Sequence, residues 1–141
     1  MKSFSTITTT TTSAAIDLPD LTDFYVLAQK TLESLPEKFK KPTKSLIVRV
    51  ENYANHETLL SLKLDDKYDL LGLYRGIPVP TKATKAAFLM PDVIYLYRCP
   101  LIRYSLENQE ALASLVHHVM IHEIGHHFGF NDYDLSWVEQ R

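Results

Sequence analysis

A single cysteine, Cys99, stands in 141 residues. It excludes any intrachain disulfide and any metal site built from cysteine alone. Scarce thiols fit a reducing compartment, so a cytoplasmic location is expected. Neither charge is in excess: 15 Lys and Arg against 17 Asp and Glu leave a formal net charge of −2. Nucleic-acid partners usually require a basic excess or stripe, so none is expected. No segment approaches the roughly 18 to 20 apolar residues of a membrane-crossing helix, which excludes that kind of membrane partner. The N-terminus lacks the apolar core of a secretion signal. It also lacks the arginines of an organelle transit peptide, since the first is Arg49.

What the N-terminus does contain is a threonine run, Thr8 to Thr12, preceded by Ile7 and followed by Ser13. Such a stretch buries too little apolar surface to offset its ordering entropy, so residues 1–16 are expected to form a disordered Thr-rich tail. Residues 17–141 then suffice for one domain, which at this size buries roughly two-thirds of its unfolded surface without covalent staples.

Apolar residues Leu21, Phe24, Tyr25, Ala28, Leu32 and Leu35 recur at helical spacing, with Asp20 or Thr22 as possible caps and Pro36 as the stop. The lysines at 38, 40, 41 and 44 surround Phe39 and Pro42 and read as a solvated helix end and loop. Ser45 to Val50 and Val93 to Tyr97 read as strands, and Leu70 to Tyr74 as a further extended segment. Glu57 to Leu64 suits a helix or a strand. Pro78 and Pro80 force the chain out of any sheet after Gly76. The final element reads as one helix capped by Ser105, running through Leu106, Ala111, Leu115 and Val119 to a stop near Gly129.

That helix carries the chemistry. His122 and His126 are four residues apart, about 40° around a helix and one turn along it, so both imidazoles can reach one ion. Zinc accepts such a pair readily, and a catalytic zinc usually takes three protein ligands and keeps one position open. Gly129 allows the backbone to reverse, and Asp132 returns a carboxylate six residues after His126. The full pattern is His-Glu-x-x-His-x-x-Gly-x-x-Asp, with Glu123 placed as the base for a metal-bound water. Asp132 is favoured as third ligand over Asp134 and Glu139, and one zinc ion per chain is expected. His118 lies one turn before His122, but a His118/His122 pair would leave no acid at the base position, so it is read as a packing or supporting residue. His117 and His127 point away from the metal face, His127 as a packed or hydrogen-bonding residue, and His56 is read as exposed.

The chain resembles the small bacterial zincin-like metallopeptidases over roughly Leu35 to Leu135. The resemblance is carried by Leu70-Leu71-Gly72-Leu73-Tyr74-Arg75-Gly76, by Pro91-Asp92-Val93-Ile94-Tyr95-Leu96-Tyr97-Arg98 and by His122 through Asp132. It implies an α+β, zincin-like fold: a small mixed sheet packed on a long C-terminal active-site helix and an N-terminal helix, with a substrate cleft between sheet and active-site helix. It also implies metal ligation by His122, His126 and Asp132. Met1, Met90 and Met120 all precede Asp132, so no methionine turn is expected beneath the metal.

Together these observations suggest a zinc metallopeptidase acting on a peptide or protein substrate, which could pair with a sheet edge above the helix. Tyr133, Tyr95 and Arg103 have the chemistry of an oxyanion donor, and each also has a structural reading. The main alternative is a zinc-stabilised peptide- or protein-binding module without catalysis. A two-histidine, one-carboxylate iron site shares the ligand inventory but is usually built on a β-barrel.

Overall fold

The computed structural model describes residues 18–82 and 91–131. The threonine-rich segment, Met90, Asp132, Tyr133, Asp134 and Glu139 lie outside them. Helix α1, Leu21–Glu33, begins at a reciprocal cap. Asp20 Oδ1 accepts the Asp23 N–H at 2.9 Å, and Asp23 Oδ2 accepts the Asp20 N–H at 2.9 Å. Asp20, not Thr22, is therefore the cap, because this geometry satisfies two orphan amides at once. A short helix α2, Glu37–Lys40, follows. It exposes Lys38, as expected of a solvated segment, and half-buries Phe39 against the core.

Strand β1 spans Leu46–Glu51. The ambiguous segment after it is helix α3, His56–Ser61. Asn55 decides the matter: its side chain accepts the Thr58 N–H at 2.8 Å, a cap that a strand could not use. His56 is exposed in the first turn of this helix. Strand β2, Gly72–Arg75, is bracketed by 3₁₀ turns at Lys67–Asp69 and Val79–Thr81. The second turn holds Pro80, so the chain leaves the sheet where its prolines required.

Strand β3, Asp92–Tyr97, passes directly into helix α4, Arg98–Asn108. Pro100 sits in the first turn of α4, where a missing N–H costs no intrahelical bond. The last helix, α5, is Leu112–His127. One helix starting at Ser105 is thus corrected to two, with Ser105 inside the first. Gln109 takes the left-handed conformation at φ 53° and ψ 37°, and Ser105 Oγ donates to the Glu110 carbonyl at 2.6 Å. The break uses a glutamine where glycine is usual, so the apolar pattern ran through it unmarked.

The sheet has the order β1-β3-β2, with β1 parallel and β2 antiparallel to β3. The α+β, mixed-sheet architecture expected from the sequence is the one observed. Register places Leu46, Val48, Val50, Asp92, Ile94, Leu96, Gly72 and Tyr74 on one face. There the apolar members among them meet Phe24 and Ala28 of α1, Leu101 of α4, and Leu115, Val116, Met120 and Ile124 of α5 in the main core. On the opposite face Tyr97, Leu73 and Tyr95 pack with Ala54 and Leu59. Burying a side chain of this size contributes roughly 1.5–3 kcal/mol. The outer edge of β1 is partly covered by α1, whose Tyr25 hydroxyl accepts the Val50 N–H at 3.0 Å. Strand β2 is the other outer strand of the sheet, and its Gly72 closely approaches Val119 of α5. Among the described residues no helix is long and apolar enough to cross a membrane.

Candidate metal centre

Helix α5 ends in a turn that sets up the site. The Gly129 N–H reaches the His126 carbonyl at 2.9 Å and the Phe130 N–H reaches the Gly125 carbonyl at 3.0 Å. These two bonds, with Gly129 at φ 92°, form the glycine-terminated cap that satisfies late carbonyls. A Cβ at Gly129 would lie 2.9 Å from Pro80 Cγ, so close approach of the proline turn also requires glycine here.

The same turn orients a histidine. His126 Nδ1 lies 2.9 Å from the Phe130 carbonyl oxygen. A carbonyl can only accept, so Nδ1 carries the proton and Nε2 holds the ring's lone pair. This is the tautomer a metal-binding imidazole needs, with a backbone oxygen holding its other nitrogen. The rings of His122 and His126 stand 4.9 Å apart at 76°. The structure therefore brings the two histidines together on adjacent turns, and Glu123 lies on the same helix, 8% exposed. Two imidazoles on adjacent turns are donors of the kind zinc takes, two of the usual three protein ligands. Among the described residues no group of three or more metal-binding side chains is assembled, and Asp132, the expected third, is not one of the described residues.

His122 and Glu123 line two cavities that meet at Gly72. One, of about 440 Å³, runs toward the start of α5 along Leu115, His118 and Val119, with Tyr104 and Glu110 at its far end. The other, of about 640 Å³, runs toward the end of α5 along His126, Gly129 and Phe130, walled by Leu73, Tyr74, Gly76 and Pro78. The cleft thus lies between α5 and β2, one of the two outer strands of the sheet. Gly72 permits this approach: a Cβ there would lie 2.7 Å from Val119 Cγ1 and 3.1 Å from the Tyr95 carbonyl oxygen.

Of the remaining helical histidines, His117 and His127 bond to groups away from the cleft, as the helical geometry suggested. His117 pairs with Thr31 Oγ1 of α1 at 3.0 Å. His127 is 1% exposed, with Nε2 at 3.0 Å from the Pro42 carbonyl and Nδ1 at 2.9 Å from the Tyr74 hydroxyl. His118 lines the smaller cavity beside His122. Neither Tyr95 nor Arg103 borders these two cavities: Tyr95 stacks on Tyr97, and Arg103 pairs with Glu107 at 3.0 Å and covers the Tyr68 ring.

Sequence reasoning missed a buried polar cluster behind the cleft. Asp92 Oδ2 lies 2.9 Å from Lys82 Nζ and 3.5 Å from His127 Nδ1, while Oδ1 accepts the Ile77 N–H at 3.0 Å. Burial, and then the charge of Asp92, hold the Tyr74 phenol well above its usual range. No local signal marked it: Asp92 opens β3, and only the strand's register turns it to the helix-facing side.

A helix bearing paired histidines and a glutamate, set under the edge strand of a small mixed sheet, has the form of a zincin-type metallopeptidase. A family model described as zincin-like metallopeptidase matches residues 43–141, and the chain belongs to that family. No curated protein matches the chain.

Proposed function

We propose that the protein is a zinc-dependent metallopeptidase that hydrolyses peptide bonds of a peptide or protein substrate, with Glu123 as general base. His122, His126 and Asp132 would hold the ion. The observation that carries this reading is the meeting of His122, His126 and Glu123 in one cavity beside the outer strand β2, in a chain of the zincin-like family. Zinc bound there would polarise a carbonyl and lower the pKa of a bound water to about 7.

The chain's own groups do the rest. The Phe130 carbonyl fixes the His126 tautomer before any ion arrives, so no reorientation is needed on binding. Glu123, shielded from bulk water, takes a proton from the attacking water and returns it to the leaving amine, a role worth about 10² to 10⁴ in rate. The outer edge of β2 offers backbone donors and acceptors to an extended chain, which gives affinity with little dependence on sequence.

A glutamate beside the histidine pair in the cleft favours catalysis over a purely structural zinc site, which has no use for a base. The test begins with elemental analysis of protein purified without chelator or metal-affinity tag, where about one zinc per chain is expected. Hydrolysis of a peptide library should then require zinc. Glu123→Gln should keep the ion and lose turnover, and His126→Ala should lose both. Equal hydrolysis by wild type and Glu123→Gln would remove Glu123 from the mechanism. A peptide that is bound but survives intact would point to a binding module.

A further inference from the structure

The buried cluster centred on Asp92 ties together three separate walls of the cleft. Its carboxylate holds the loop after β2 at both ends, through the Ile77 N–H at 3.0 Å and Lys82 Nζ at 2.9 Å. The side chains of Lys82 and Asp92 are only 4% and 3% exposed, so this is an internal tie and not a surface ion pair. Gly76 makes room for it, since a Cβ there would overlap the Asp92 carboxylate. That loop contributes Gly76 and Pro78 to the larger cavity.

The second tie runs through His127, the residue after His126. Its Nε2 faces the Pro42 carbonyl and so carries a proton when the ring is neutral. Nδ1 then accepts from the Tyr74 hydroxyl, and Tyr74 lies on β2 itself. The Tyr74 and His127 rings also meet edge to face at 5.6 Å. Tyr74 thus fastens β2 to the end of α5 through His127. Asp92, whose Oδ2 lies 3.5 Å from the same His127 nitrogen, fastens the loop 76–82 to the start of the central strand. A core of plain apolar contacts would allow β2 to slide along α5. Directional bonds, from Tyr74 to His127 and from Ile77 and Lys82 to Asp92, do not.

We propose that Asp92, with Lys82, His127 and Tyr74, is a positioning cluster that sets the spacing and register of the cleft wall β2 against the helix bearing His122 and His126. The role of this spacing in turnover rests on the metallopeptidase reading. The positioning itself does not.

The experiment uses the zinc-loaded full chain and two readouts. Tyr74→Phe removes one hydroxyl and keeps the ring, and Lys82→Met and Lys82→Arg remove and keep the cation. Amide hydrogen exchange of peptides covering 70–82 is expected to speed up at least tenfold in Tyr74→Phe and Lys82→Met. Exchange in α1 should be unchanged, and Lys82→Arg should resemble wild type. Where wild type hydrolyses a peptide, kcat should fall at least tenfold in the same two variants, well below their melting temperatures, with one zinc still bound per chain and kcat kept in Lys82→Arg. Exchange of 70–82 unaltered in both variants would overturn the proposal. So would faster exchange with kcat and KM unaltered, which would make the cluster merely structural. If wild type hydrolyses nothing, the metallopeptidase reading fails, and the exchange results decide the positioning alone. Asp92→Asn is an additional variant, and the result does not depend on its folding.

Discussion

Gly72→Ala tests the closeness of β2 and α5 directly. The added Cβ would stand 2.7 Å from Val119 Cγ1 and 3.1 Å from the Tyr95 carbonyl oxygen. Carbon atoms prefer about 3.5–4.0 Å, so the methyl contact is short by roughly 1 Å. The Tyr95 oxygen belongs to the backbone of the central strand and cannot withdraw. Val119 is β-branched and in a helix has one strongly preferred rotamer, so it cannot simply swing aside. Overpacking of this kind costs about 1–3 kcal/mol. Against it, alanine restricts the unfolded chain and recovers about 0.4–1 kcal/mol. The expected net loss is about 1 kcal/mol in urea denaturation, read as a lower midpoint at constant slope. Val119→Ala removes the methyl that is struck. In the double variant the two changes should therefore couple favourably, by about 1–2 kcal/mol. Strict additivity, within about 0.5 kcal/mol, would refute the claim that Gly72 is needed for this contact.

Asp132→Ala should reduce zinc occupancy sharply, whereas Asp134→Ala should leave one zinc per chain; elemental analysis after dialysis distinguishes them, and the reverse pattern would move the third ligand to Asp134. Ala111 precedes α5 with an extended backbone and no side-chain cap, on an exposed position. Ala111→Ser should stabilise the protein by about 0.5–2 kcal/mol, seen as a higher urea midpoint. Burial, and then the negative charge of Glu51, push the Tyr97 phenol up to about 12. The folded state thus holds this proton more tightly than the unfolded chain, whose tyrosines titrate near 10. The stability this provides is complete below about pH 10 and is lost as the pH rises toward 12, and Tyr97→Phe should flatten that part of the stability profile.

Elements with a local reason were legible, and those with only a tertiary reason were not. Asp20 and Asp23 close a cap within four residues, so α1 could be read to within two residues of its end. The i, i+4 spacing of His122 and His126 likewise defines which face they share. The α4–α5 break depends on Gln109 in a conformation that glutamine rarely adopts, which no composition rule marks. The choice of β2 as the cleft edge depends on strand order, and the antiparallel pairing of β2 with β3 exists only once Leu73 faces Tyr95 and Gly72 faces Leu96. Asp92 stands next to Pro91 at the start of a strand and has no local partner to mark it. Its partners Lys82 and His127 lie 10 and 35 residues away in the chain, beyond any local pattern.

The site's two kinds of order have different sources. The histidine pair is ordered by α5 itself: helical spacing, the Gly129 turn and the Phe130 carbonyl all lie within nine residues, from His122 to Phe130. A metal-binding motif of this kind could be carried on many helices. The cleft wall is ordered by bonds that reach beyond α5, from Tyr74 to His127 and from Ile77 and Lys82 to Asp92, on the sheet's helix-facing side. His127 is where the two meet. Its neighbour His126 turns to the cleft while its own ring turns inward, because adjacent helical residues point about 100° apart. One helical step thus separates the side chain proposed to hold the ion from the one that holds the wall in place. Any shift of β2 along α5 must first break a buried hydrogen bond, and a bond of that kind resists displacement more sharply than apolar packing does.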